Sequence, residues 1–289
     1  MSLEGYIIRP PSEADSFLLQ ITTGCSSNTC TFCGAYTGKP FRVKDIEEIY
    51  EDIRLGGSLY PDTRRVFLLD GDALVLNNKK LLPILKKIDE AFPKLTRISS
   101  YANGYNITGR SGSEMVELCE HKLKVIYMGL ESGDQNILNC RKKRSTVNKM
   151  IEAVNKCREF KIKTSVILLL GLGGRTNSKQ HVEQSIIAIN KMQPNYLSFL
   201  SLMIIPGTPL YSEKQKKEFI ELNPSELLKE THDIIEGLDL KNTIFHSNHA
   251  SNYLPLSGRF PKDKYMLIDV LRSAVKGEVS LKPEFMRGL

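Results

Sequence analysis

Short apolar runs alternate with amphipathic segments along most of the chain. The amphipathic segments repeat apolar residues at helical spacing, as Met150, Val154 and Cys157 do, whereas the apolar runs are short and bounded by turn residues. Ser178 stands before one of the amphipathic segments and is expected to be its N-cap. The pattern predicts strands over 17–22, 66–69, 95–101, 125–128, 164–170 and 196–205, with helices over 45–55, 79–92, 113–120, 147–160 and 178–192.

Strands that alternate with helices predict parallel βαβ units. Six such units fit either an open α/β barrel or a doubly wound sheet. After Pro206 the pattern changes, because residues 224–236 and 262–275 have helical spacing and residues 242–256 are irregular. We therefore expect one α/β domain over residues 1–209 and a helical C-terminal cap over residues 210–289 that packs on it.

Composition narrows the class of protein. The 289 residues include 40 Lys and Arg against 33 Asp and Glu, a net charge of +7, and 41% are hydrophobic. These proportions exclude a wholly disordered or collagen-like protein. No apolar run approaches the roughly 18 residues of a membrane helix, and the N-terminal segment has no secretory pattern. We expect a cytoplasmic protein without a membrane partner, whose mild basicity permits an anionic partner without requiring one.

Three of the six cysteines lie within nine residues after the first predicted strand, at Cys25, Cys30 and Cys33. Such a cluster in a reducing compartment indicates a metal centre or catalysis. A [2Fe–2S] centre or a structural zinc site would need a fourth ligand from elsewhere in the chain. Three unrelated thiols and a [4Fe–4S] cluster with one open iron are the other two interpretations. The scattered cysteines are Cys119, Cys140 and Cys157.

The loop Thr23-Gly-Cys-Ser-Ser-Asn-Thr-Cys-Thr-Phe-Cys33 resembles the cluster loop of the radical S-adenosylmethionine (SAM) superfamily, with Phe32 at the family's aromatic position. The family's usual Cys-x3-Cys-x2-Cys spacing is one residue shorter. The loop and residues 9–14 are most similar to the subgroup of coproporphyrinogen dehydrogenases and methylthiotransferases. The resemblance implies a partial (β/α)6 TIM-like barrel with a helical C-terminal extension. It also implies a [4Fe–4S] cluster held by Cys25, Cys30 and Cys33, and SAM as the second cofactor.

The resemblance assigns SAM contacts to the ends of the second and third strands. Asp70, Gly71 and Asp72 stand where the family binds the amino group of the methionyl part, a role that suits a carboxylate and backbone carbonyls. An acidic turn that caps the next helix is the alternative. Asn103 fits a contact to ribose or substrate, and equally an αL turn.

The later strand ends complete the implied SAM site. Glu131 and Ser132 would bind ribose hydroxyls or the methionyl amine, and Lys143 or Arg144 would bind the methionyl carboxylate. The remaining implied contacts are Gly171 and Gly173, where the backbone approaches the adenosyl group closely, and Met203 and Pro206 near the adenine.

The resemblance implies that the open iron chelates SAM and that one-electron reduction yields methionine and a 5′-deoxyadenosyl radical, which abstracts hydrogen from the substrate. It implies an external one-electron donor such as flavodoxin or ferredoxin. A small anionic metabolite, a porphyrin-like polycarboxylate or RNA remains open as the substrate. His246 and His249 are expected in a loop that contacts the substrate. The competing hypotheses are a non-catalytic iron–sulfur or metal-binding module, acting as an electron carrier or sensor, and a barrel enzyme of another class.

Overall fold

The computed structural model describes residues 3–5, 7–36 and 38–288. The strands are β1 (Phe17–Leu19), β2 (Thr22–Thr23), β3 (Arg42–Val43), β4 (Arg65–Leu68), β5 (Arg97–Tyr101), β6 (Leu123–Glu131), β7 (Lys163–Leu170), β8 (Tyr196–Ser201), β9 (Thr243–His246) and β10 (Ser257–Phe260). The α-helices are α1 (Ile46–Leu59), α2 (Asn78–Ala91), α3 (Gly104–Thr108), α4 (Gly112–Glu120), α5 (Gln135–Cys140), α6 (Val147–Glu159), α7 (Gly174–Met192), α8 (Pro209–Gln215), α9 (Pro224–Gly237) and α10 (Lys264–Val275).

Eight strands form the main sheet in the order β1-β4-β5-β6-β7-β8-β9-β10, and β2 pairs with β3 in a separate antiparallel ribbon. The pairs β1–β4, β4–β5, β5–β6, β7–β8 and β8–β9 are parallel. The pair β9–β10 in the main sheet is antiparallel. The alternation of helices with parallel strands confirms the expected α/β class.

The chain divides into two compact units. One comprises the described residues of Met1–Asn28, Ala35–Met128 and Asn155–Thr164, and the other comprises those of Thr29–Gly34, Gly129–Val154 and Ser165–Leu289. The expected boundary between residues 209 and 210 is a different division, and it stays a prediction.

The first unit has a core built from strands that are buried on both faces. Val66, Phe67 and Leu68 of β4 are all inaccessible to solvent, which explains why this strand is a continuous apolar run. The ring of Phe67 contacts those of Tyr101 and Tyr127 edge-on, with centroids 5.3 and 5.8 Å away. Aromatic pairs in this geometry add to the stabilisation from burial.

The second unit has its own apolar cluster, and both long helices of the C-terminal region belong to this unit. Asn223 and Glu226 form a capping box that begins α9. The apolar cluster comprises Ile137, Leu172, Leu202, Leu210 and Phe219, with Phe32, Leu169 and Ile204 packed against it. In the described ranges no helix has the length and apolar character that a membrane span requires.

Four local expectations are wrong. Ser178 is not an N-cap, because α7 begins a turn earlier at Gly174, with Gly173 as its N-cap. Part of the segment expected to be irregular forms β9, in which Thr243 and Phe245 are buried. The sixth predicted strand ends at Ser201 as β8, and the predicted first strand is divided between β1 and β2.

The last strand of the main sheet is short, and one of its backbone N–H groups is hydrogen-bonded to a side chain. β10 has four residues, and the backbone N–H of Arg259 within it donates to Asp263 Oδ2 at 2.8 Å. At the other end of the strand order, β1 has three residues.

Candidate functional site

In the first unit, two glycines fix the backbone around Cys25. Gly24 has φ 75°, and a Cβ there would lie 2.9 Å from the carbonyl oxygen of Pro40. Gly71 donates its N–H to the carbonyl of Gly24 at 3.1 Å. A Cβ on Gly71 would lie 2.7 Å from the Cβ of Cys25, so the loop approaches the end of β4 more closely than any side chain allows.

We expect Gly71→Ala to displace Cys25 and to lower the iron content of the reconstituted protein by at least about half, because the collision is with the ligand residue itself. Iron and sulfide assays after anaerobic reconstitution measure this. Gly112→Ala is the matched control, since its Cβ would meet no atom closer than 3.4 Å. Equal iron content in the two variants would show that the close approach at Gly71 is unimportant for the loop.

Asp70 is buried and its carboxylate faces the cysteine loop of the first unit. Oδ2 accepts hydrogen bonds from Gln20 Nε2, the Gly24 N–H and Lys39 Nζ, each at 2.9 Å. Asp70 also has a positive φ of 67°. The carboxylate therefore joins residues on both sides of Cys25 along the chain. A contact from Asp70 to SAM stays a prediction.

Asp72 and Asn103, both expected at the SAM site, contact each other. Asp72 Oδ2 accepts from Asn103 Nδ2 at 2.7 Å and from Ser26 Oγ at 2.5 Å, and Asn106 Nδ2 donates to Oδ1. Burial raises the pKa of Asp72 to about 6, against these hydrogen bonds. Asn103 has extended backbone and caps α3, so the αL turn considered for it is wrong.

The second unit holds the backbone that carries Cys30 and Cys33. Cys33 donates its N–H to the carbonyl of Cys30 at 3.3 Å, and Thr31 bonds through its N–H to Arg141 and through its carbonyl to Leu210. Phe32 packs against the apolar cluster of this unit. The aromatic residue of the motif therefore anchors the segment in the core.

The donor chemistry of the loop fits an iron–sulfur cluster. Cys25, Cys30 and Cys33 are thiols with partly exposed side chains, on backbone that hydrogen bonds hold in place. Cys157 differs, since burial raises the pKa of its thiol to about 12 and opposes the thiolate that metal binding needs. Thiolates are the usual ligands of iron–sulfur clusters.

At the end of β6, Glu131 and Lys143 form an ion pair. Lys143 Nζ lies 3.1 Å from Glu131 Oε1, and the absence of a side chain at Gly129 makes room for the carboxylate. Glu131 has a positive φ of 64°. Arg144, the other expected carboxylate ligand, is exposed.

Ser132, the neighbour of Glu131, is fully buried and contacts a histidine. Its Oγ lies 2.8 Å from His181 Nδ1 and accepts the Asp134 N–H at 3.1 Å. Burial lowers the pKa of His181 to about 4. A direct contact from Ser132 to SAM stays a prediction.

After β7, Gly171 adopts φ 81° and donates its N–H to Glu230 Oε1 at 2.6 Å. Gly173 caps α7 two residues later. Glu230 belongs to α9. Its position in an amphipathic helix gives no indication that it contacts Gly171, so the sequence did not predict it. Burial raises the pKa of Glu230 to about 7.

The remaining expected residues lie on turns and on β9. Met203 is half-buried and Pro206 is exposed, next to a turn in which the Thr208 N–H donates to Ile205 at 3.2 Å. His246 Nδ1 lies 3.2 Å from Ser257 Oγ, and His249 Nδ1 lies 2.9 Å from Ser251 Oγ. Burial lowers the pKa of both histidines.

Comparison with known proteins identifies relatives of this site and fold. The family model of the Radical SAM superfamily matches residues 19–186, more than half of the chain. An uncharacterized methyltransferase of Pyrococcus horikoshii is 26% identical over 197 residues, which cover 67% of this chain and 41% of that protein. The heme chaperone HemW of Bacillus subtilis is 23% identical over 176 residues, which cover 61% of this chain and 46% of that protein. The chain therefore spans less than half the length of these curated relatives.

Among solved structures, coproporphyrinogen III oxidase (HemN) from Escherichia coli matches with a TM-score of 0.56 and 16% identity, over 76% of this chain and 50% of that one. At this identity the likeness concerns the fold, and it confirms the expected partial TIM-like barrel. The family model confirms the expected radical SAM superfamily, and the narrower subgroup stays a prediction. The chain belongs to the radical SAM superfamily of enzymes, with the [4Fe–4S] cluster and SAM that characterise the family as its cofactors.

Proposed function

We propose that this chain cleaves SAM reductively at a [4Fe–4S] cluster held by Cys25, Cys30 and Cys33, and that the resulting 5′-deoxyadenosyl radical abstracts hydrogen from a substrate. The observation that carries the proposal is the fixed backbone of the cysteine loop. Gly24 is held beside Cys25, because its N–H donates to the Asp70 carboxylate and its carbonyl accepts the Gly71 N–H. Other hydrogen bonds hold the backbone at Thr31 and Cys33. Bound to the loop, the cluster would supply the electron and the open iron.

The strand-end residues bind and orient SAM in this proposal. Lys143 offers its ammonium to the methionyl carboxylate, and Glu131 offers its carboxylate to the amine or to ribose hydroxyls. Their mutual contact at 3.1 Å keeps both side chains in place before SAM arrives. Gly171 and Gly173 present no side chains to hinder the adenosyl group, and Leu172 between them is buried in the apolar cluster.

We expect Lys143→Ala to weaken SAM binding about tenfold, as the loss of one charge-assisted hydrogen bond predicts. Arg144→Ala is the matched control, because Arg144 is exposed and adjacent. Equilibrium dialysis with labelled SAM on the anaerobically reconstituted protein measures both. A larger loss in Arg144→Ala than in Lys143→Ala would reverse the assignment.

For the substrate and the electron donor, we propose only a chemical class. A small anionic metabolite fits the net charge of +7, and RNA has no further support. An external one-electron carrier such as flavodoxin or ferredoxin would reduce the cluster. The activities in the names of the two curated relatives, a methyltransferase and a heme chaperone, concern those proteins.

The decisive experiment is the detection of 5′-deoxyadenosine after anaerobic reconstitution with iron and sulfide, using dithionite as the reductant. We expect SAM-dependent 5′-deoxyadenosine, and faster formation with the metabolite or tRNA fraction that contains the substrate. An electron carrier or sensor would hold the cluster and form none. A colourless protein after reconstitution would contradict the proposed cluster.

A further inference from the structure

Glu230 is a buried carboxylate that lies beyond the residues matched by the family model, which end at residue 186. It is 2% exposed, and both of its oxygens are engaged within the second unit. Oε1 accepts the Gly171 N–H at 2.6 Å, and Oε2 accepts from Ser178 Oγ. Glu230 on α9 thus holds the turn that follows β7, which we propose contacts SAM.

His181 connects the same carboxylate to a second strand end. Ser132 Oγ already accepts a hydrogen bond from the Asp134 N–H, so its own hydrogen is available to His181 Nδ1. His181 Nε2 lies 3.7 Å from Glu230 Oε1 and has no hydrogen-bond partner among the described residues. These contacts therefore place four buried residues next to one another: Ser132, His181, Glu230 and Gly171.

A groove of about 520 Å³ between α7 and α9 ends at Ser178 and Glu230. It gives the carboxylate a route for proton exchange with solvent. The charged groups around it form ion pairs on its rim, which leaves Glu230 as the buried acid at its base. They are Arg175, Lys179 and Glu183 on α7 and Glu226, Lys229 and Asp233 on α9.

We propose that Glu230 is a positioning residue for SAM, which holds the turn at Gly171 through its carboxylate. This inference rests on the proposed function, because it assumes that the turn at Gly171 contacts SAM. The ionised carboxylate is the stronger acceptor for the Gly171 N–H, so protonation of Glu230 loosens the turn. The inference therefore predicts that the contribution of Glu230 to SAM affinity depends on pH near neutrality.

The first test needs no SAM. In the protein without SAM, Glu230→Gln is expected to speed hydrogen exchange about tenfold in the peptide that contains Gly171, because a neutral amide replaces a charged acceptor. Glu236→Gln, an exposed change on the same helix, is the matched control and should leave this peptide unchanged. Unchanged exchange in a folded Glu230→Gln variant would overturn the proposed hold on Gly171.

The second test measures the dissociation constant of SAM for the reconstituted protein between pH 6 and pH 8. Glu230→Gln resembles the protonated acid, so the ratio of its dissociation constant to that of the unaltered protein should be about ten at pH 8 and should approach one at pH 6. Because SAM and the other titrating groups are the same in both proteins, their effects on the dissociation constant cancel in the ratio. A ratio that stays constant with pH would show a merely structural role and would overturn the inference.

Ser178→Ala provides an independent variant, should Glu230→Gln fail to fold. The Ser178 hydrogen bond lowers the pKa of Glu230, so its removal should move the pH dependence of SAM binding to higher pH. An unmoved pH profile would count against the inference. If the unaltered protein forms no 5′-deoxyadenosine and binds no SAM, the proposed function itself fails. The hydrogen-exchange result still shows whether Glu230 holds the Gly171 N–H, because that test needs no SAM.

Discussion

Replacing Cys25, Cys30 and Cys33 together by alanine is expected to abolish both the visible absorbance of the reconstituted protein and the formation of 5′-deoxyadenosine. Iron–sulfur clusters are held by cysteine thiolates, and alanine offers no ligand atom. We expect iron to fall to the background of the assay and SAM cleavage to become undetectable. Iron and sulfide analysis, visible absorbance and detection of 5′-deoxyadenosine measure the outcome.

The double variant Cys119→Ala and Cys140→Ala is the matched control for the loss of thiols. Cys140 is exposed and Cys119 is partly exposed, so alanine there should leave the fold and the cluster intact. If the triple variant kept the cluster absorbance while the double variant lost it, the cluster would belong to the scattered cysteines. Retention in both variants would reject the cysteine loop as the site.

Asp70→Ala is expected to lower the free energy of unfolding by about 3 kcal/mol, because removing one partner of a buried ion pair leaves the other charge uncompensated. Lys39 Nζ would lose its carboxylate, and the Gly24 N–H and Gln20 Nε2 would lose their acceptor. Urea unfolding of the protein before reconstitution measures the change. The same variant should take up less iron, since Gly24 precedes the first cluster ligand.

Asp62→Ala is the control for this second prediction. Asp62 pairs with Lys94 at 2.5 Å, but the two side chains are 80% and 59% exposed. Exposed pairs contribute little, so we expect a much smaller loss than for Asp70→Ala. Similar losses in the two variants would show that Asp70 acts as an ordinary surface charge, contrary to its burial.

The positions of the strand ends could be predicted from the sequence because buried parallel strands are continuous apolar runs. Asp72 and Asn103 follow neighbouring strands, β4 and β5, and their side chains meet. The contact between Glu131 and Lys143 was within reach of the same reasoning, although the choice between Lys143 and Arg144 was not. That choice depends on the turn after α5, where Lys142 has a positive φ.

The role of Glu230 could not be predicted, because its partners are 49 to 59 positions away in the chain. Local spacing places Glu230 in an amphipathic helix, and nothing in that spacing shows that it is buried. Ser178 was misassigned for a related reason. Glycines disfavour helices, so the sequence predicts a start after the Gly171–Gly174 run, whereas α7 begins inside it.

The main sheet ends on strands that cannot easily recruit another chain. An edge strand with free backbone amides is a template for intermolecular pairing and aggregation. Here β1 offers three residues, and β10 offers four, one of whose amides is occupied by Asp263. We therefore expect Asp263→Ala, which uncovers the Arg259 N–H, to increase light scattering on storage at high protein concentration, a property that matters for a protein concentrated under anaerobic conditions for spectroscopy.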